Sequence, residues 1–129
     1  ARRFFSPAEA SAIEREPTPR QTAMFFRFWT LKEAYIKARG IGLSIPLDSF
    51  AFTLFEDRPP AICFTADCSD VPSAWQFAQI LLEGRYQIAL AIRLPKRDPL
   101  AVRRRHTVSL QEWDTSRILP PCSSQEWAV

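Results

Sequence analysis

Two charged residues stand where a helix should be apolar, and a third lies at the edge of the same face. The segment from Thr18 to Arg39 reads as one long helix, opened by Thr18-Pro19-Arg20-Gln21 and stopped by Gly40. Place Trp29 at zero on a wheel of about 100° per residue. Phe25, Ile36 and Thr22 then fall within about 40° of it, and Phe26 at about 60°. Phe28, Tyr35, Met24 and Leu31 extend one flank. Glu33 lands at roughly +40° and Lys32 at roughly −60°, both inside this arc, with Lys37 at its edge.

A carboxylate buried without a partner is costly, so it is neutralised, paired or bound to a metal. Two readings follow. In one, Glu33 pairs with Lys37 at i,i+4 and Lys32 runs its stem along the ring faces. In the other, Glu33 is a cation ligand or a base, and Lys32 and Lys37 meet an anion. A lone carboxylate is a poor Mg²⁺ site, and the chain holds no D-x-D or D-x-E motif. Glu56, Asp57, Asp67 and Asp70 fall at strand ends and turns and read as loop residues.

The elements around this helix set its surroundings. Ser6-Pro7-Ala8-Glu9 carries a cap, a Pro at the first helical position and a capping-box Glu, so a short helix starts there and ends before Pro17. After Gly40 the apolar period changes to that of strands. Phe50–Phe55, Ala61–Ala66, Trp75–Leu82 and Tyr86–Leu94 read as strands. The last two form an antiparallel hairpin across Glu83-Gly84-Arg85. In the final strand Tyr86, Ile88, Leu90, Ile92 and Leu94 alternate with Gln87, Ala89, Ala91 and Arg93, the pattern of a half-buried strand with one packed face. The expected fold is α+β, with the long helix packed on an antiparallel sheet. Val108 to Trp113 reads as a short strand or turn, and Pro120 to Val129 as a loose end.

Size and composition set the outer bounds. The 129 residues suffice for one domain. No apolar run approaches the roughly 20 residues of a membrane helix, so no membrane partner is expected. The net charge of +3 is too small to name nucleic acid as a partner. Residues 93 to 105 concentrate six cationic residues against Asp98 alone, and they read as a solvated basic tail. Cys63, Cys68 and Cys122 show no metal-ligand spacing, and His106, the single histidine, lies in the basic stretch. Free thiols and a cytoplasmic location follow.

The string Trp29-Thr30-Leu31-Lys32-Glu33-Ala34-Tyr35-Ile36-Lys37 resembles the W-x-x-K-E-A-x-x-K signature of the Sfp-type 4′-phosphopantetheinyl transferases. Arg3-Phe4-Phe5-Ser6 before it, and Gly42-Leu43-Ser44-Ile45-Pro46-Leu47-Asp48-Ser49-Phe50 after it, are similar to the family's flanking segments. The resemblance covers roughly residues 1 to 94. It implies a lobe spanning residues 1–98, half of a pseudo-dimer of two α/β lobes, followed by a basic tail over 99–129. It also implies transfer of the phosphopantetheine arm of coenzyme A to a serine of an acyl or peptidyl carrier protein, with Mg²⁺. By the same resemblance Glu33 is a metal ligand and catalytic carboxylate, Lys37 a catalytic and coenzyme A-binding residue, and Lys32 a further substrate-binding lysine. The family's G-x-D-x-E metal segment has no counterpart here. The chain therefore resembles the second half of a transferase whose N-terminal lobe is missing. Alone it is expected to be inactive, the alternative being a non-catalytic half that docks a carrier protein.

Overall fold

The computed structural model describes residues 4–40, 42–66, 68–94, 101–103, 105 and 126–128. Helix α1 spans Pro7–Arg15 and opens on the expected reciprocal cap. The Ser6 hydroxyl accepts from Glu9 N at 3.2 Å, and the Glu9 carboxylate accepts from Ser6 N at 2.8 Å.

Helix α2 spans Thr18–Arg39. Its start differs from the sequence expectation. Thr18 is already helical, and the cap position is Pro17, whose side chain has no hydrogen-bonding group to cap with. The Pro17 carbonyl instead receives Arg20 N at 2.7 Å and Gln21 N at 3.2 Å. The Gln21 side chain donates to the Glu16 carbonyl, tying the two helices at their junction. Gly40 closes the helix at φ +70°, the left-handed conformation a glycine adopts at low cost, and its N–H donates to Lys37 O at 3.1 Å. A 3₁₀ turn follows at Gly42–Ser44.

Strands β1 (Phe50–Thr53) and β2 (Ala61–Phe64) pair antiparallel, with Phe50 opposite Phe64. Both stop short of the expected ends at Phe55 and Ala66. A second 3₁₀ turn, Pro72–Ala74, leads into β3 (Trp75–Leu82), which pairs with β4 (Tyr86–Arg93) from Trp75↔Arg93 to Leu82↔Tyr86. In the turn between them Glu83 and Gly84 both have positive φ, as tight hairpin turns require. Two short strands, β5 (Ala101–Arg103) and β6 (Glu126–Ala128), form a third antiparallel pair. The loose end expected after Pro120 thus includes a strand, whose partner lies too far along the chain for a local pattern to reveal.

The core lies between α2 and the two main hairpins. Tyr35 is its hub, with ring centroids of Phe50 at 4.7 Å, Trp75 at 5.0 Å and Phe64 at 5.6 Å. The architecture is α+β, as expected, with α2 laid across β4. The packed face of β4 is the reverse of the one its pattern implied. Ala89 and Ala91 pack toward the core, while Tyr86, Ile88, Leu90, Ile92 and Leu94 are each 36% to 48% exposed. Alanines let a helix rich in aromatic residues approach the sheet closely. The larger side chains are left on the outer face.

Candidate active site

The core takes only one side of α2. Its buried residues are Phe28, Leu31, Lys32, Tyr35 and Ile36, centred roughly 100° from Trp29 on the wheel. The apolar arc is too wide for one packing partner, so its other half is only partly covered. There Phe25, Trp29, Glu33 and Lys37 follow one another at intervals of four and share a stripe. Phe25 stacks on Trp29 at 6.0 Å, and Phe4 meets Trp29 edge-on at 5.9 Å. Phe4 and Phe26 are 41% and 47% exposed, so this aromatic patch reaches solvent.

Glu33 stands at the end of the patch, its side chain 31% exposed. Lys37 Nζ lies 3.6 Å from Glu33 Oε2, with its side chain 77% exposed. This is the i,i+4 pair that helical spacing allows, and at such exposure it contributes only about 0.3–0.5 kcal/mol. Glu33 is therefore not the buried carboxylate of the wheel. It is an accessible acid beside an exposed cation, at the margin of an apolar surface.

Lys32 is placed quite differently, because a step of one residue turns the side chain by about 100°. Its side chain is wholly buried, as is that of Glu9, and Nζ lies 3.0 Å from Glu9 Oε2. Nζ also donates to the carbonyls of Leu47 and Phe50, both at 2.7 Å. Three protons meet three acceptors, so none remains for a substrate anion. The ammonium also lies 4.4 Å from the centroid of the Phe50 ring. Burial lowers the Lys32 pKa, only partly opposed by Glu9. Sequence reasoning recognised Glu9 as a capping residue but missed this second task. The spacing Ser6–Glu9 is a local signal, whereas the reach to Lys32 and to Phe52 N, at 2.9 Å, depends on tertiary packing.

Asp70, a loop acid by its sequence position, has a structural role. Its carboxylate accepts from Tyr35 Oη at 2.9 Å, Trp75 Nε1 at 2.9 Å and Val71 N at 2.8 Å, and it pairs with Arg39. Burial alone would raise its pKa. The donors from Val71, Tyr35, Arg39 and Trp75 outweigh that and hold the carboxyl below its ordinary value. Burial, followed by the bond to Asp70, pushes the Tyr35 hydroxyl up. This cluster locks the C-terminal half of α2 to the start of β3 and holds the helix beyond Glu33.

Among the described residues, no three acidic, histidine or cysteine side chains converge as a metal site. Glu33 is a single carboxylate, which by itself does not make a Mg²⁺ site. Cys63 and Cys68 are free thiols. His106 and Cys122 lie outside the described residues.

Residues 1–91 match the 4′-phosphopantetheinyl transferase superfamily. The chain is 46% identical over 62 residues to the 4′-phosphopantetheinyl transferase Sfp of Bacillus subtilis, covering 48% of this chain and 28% of that protein. It is 37% identical over 95 residues to the 4′-phosphopantetheinyl transferase psf-1 of Bacillus pumilus, covering 74% of this chain and 39% of that protein. A further 4′-phosphopantetheinyl transferase of Bacillus subtilis is 47% identical over 57 residues, covering 44% of this chain and 25% of that protein. The chain thus spans about a quarter to two-fifths of the length of these relatives. With the match running from the aromatic opening through the long helix to β4, the chain belongs to the 4′-phosphopantetheinyl transferase superfamily.

Proposed function

We propose that this chain is one lobe of an enzyme that moves the phosphopantetheine arm of coenzyme A onto a serine of an acyl or peptidyl carrier protein. The lobe comprises residues 1–98 and the remainder is a basic tail. The observation that carries this reading is the pairing of Glu33 and Lys37 at 3.6 Å on an outward stripe of α2, within a segment that matches the superfamily. In the reaction the serine oxygen bonds to the phosphorus that bears the arm. The diphosphate P–O bond breaks and the nucleotide leaves with the other phosphate. Glu33, accessible on the outward stripe of the helix, takes the serine proton. Lys37 reaches the diphosphate oxygens on a flexible, exposed stem and offsets their charge. Glu33 would also hold Mg²⁺ as one of its ligands, and the metal would supply further neutralisation of the diphosphate.

One carboxylate does not complete a magnesium site, so a second lobe supplies the rest. The outward side chains of β4 and the Phe4–Phe26 patch are apolar surface of the kind such a lobe covers. The chain alone is accordingly inactive. No helix among the described residues is long and apolar enough to cross a membrane, and the enzyme works in the cytoplasm, where coenzyme A and carrier proteins meet.

The test is label transfer. The complete protein that carries this chain, given coenzyme A with a labelled arm and an apo carrier protein, should label one carrier serine with Mg²⁺ and stop when EDTA is added. Residues 1–129 alone should transfer none. No labelling by the complete protein would overturn the reading, and turnover by the isolated chain would overturn the need for a second lobe.

A further inference from the structure

Resting on that reading, we propose that the buried Glu9–Lys32 pair is a positioning device that sets where Glu33 stands. Among the described residues Glu33 is paired only with Lys37, whose side chain is 77% exposed, so that contact cannot fix it. Its place is set by the rotation and depth of α2. Those are set at the neighbouring residue. Lys32 Nζ is held by Glu9 of α1, by the Leu47 carbonyl before β1 and by the Phe50 carbonyl at the start of β1. Glu9 in turn accepts from Ser6 N ahead of α1 and from Phe52 N within β1. Three elements therefore meet at one ammonium, a residue away from Glu33. Charge-assisted bonds of this kind are short and directional, and they resist both sliding and rotation of the helix.

Stability alone does not account for the pair. Well-packed apolar residues in place of a buried ion pair are often neutral or stabilising. Geometry does account for it, since a displacement of about 1 Å at a reacting group can cost about a hundredfold in rate. Lys32 and Glu9 touch no reacting atom and act through Glu33.

The experiment compares Glu9→Gln, Glu9→Met/Lys32→Met and Glu33→Gln in the complete protein, assayed well below their melting temperatures. Glu9→Gln keeps shape and an acceptor if the double variant does not fold. The clamp variants should lose about tenfold or more in kcat and need severalfold more Mg²⁺ for half-maximal rate, with KM for coenzyme A within about twofold of the parent. A merely structural role would change the melting temperature and leave the Mg²⁺ requirement alone. Folded clamp variants with parental kcat and Mg²⁺ requirement, beside an inactive Glu33→Gln, would overturn the clamp and leave the proposed function standing. Full activity in Glu33→Gln would overturn both.

Discussion

Lys32 Nζ lies 3.0 Å from Glu9 Oε2, and neither side chain is exposed to solvent. Lys32 and Glu33 are neighbours in the chain, yet one is committed to the core and the other to the surface. Removing one member of a buried pair strands the other charge. Lys32→Ala should therefore cost about 3–5 kcal/mol in urea unfolding. Glu9→Met/Lys32→Met should cost less than Lys32→Ala, because no charge is left unpaired. A single variant as stable as the parent would show that the pair is not closed.

Asp70 should matter for stability as much as any apolar core residue. Asp70→Asn removes the charge that Arg39 faces and weakens the acceptor shared by Tyr35 and Trp75. A loss of about 2–3 kcal/mol is expected in chemical unfolding, since buried donors are left poorly matched.

The same carboxylate gives an acid dependence. Its folded pKa lies below the ordinary 3.8, so the unfolded chain takes up its proton first as pH falls. The stabilisation is complete above 3.8 and disappears as pH drops through the lower folded value. Unfolding monitored from pH 6 to pH 2 should show the parent losing more stability than Asp70→Asn. Parallel profiles would contradict the assigned hydrogen bonds.

The outward face of β4 should behave as unfinished surface. Leu90→Ser should change the stability of the isolated chain by less than about 1 kcal/mol, because Leu90 is 37% exposed. It should also reduce binding of a hydrophobic dye. In the complete protein the same change should be clearly destabilising, which a comparison of melting temperatures would show.

Much of the fold was legible from local grammar. Ser6, Pro7 and Glu9 announce α1, Gly40 ends α2, and the run from Trp75 to Arg93 declares its hairpin. What escaped depended on partners distant in sequence. The alternation in β4 shows two faces but not which one meets the helix, and large apolar residues were the natural choice for the inside. The wheel of α2 showed charges within an apolar arc but could not show that the core would take only its Phe28–Tyr35 side. Lys32 and Glu33 therefore looked equivalent until tertiary packing separated them. Asp70 carried no signal at all, since its four donors come from α2, β3 and its own turn.

Glu33 is the residue on which the proposed function turns. Its exposed pairing with Lys37 is worth little to the fold, so Glu33→Gln should melt within a degree or two of the parent. The decisive measurement is transfer of the labelled arm to an apo carrier protein by the complete Glu33→Gln protein across a range of Mg²⁺ concentrations. The expected result is a folded protein with no transfer at any Mg²⁺ concentration. A folded Glu33→Gln protein that labels its carrier at the parental rate would contradict the account.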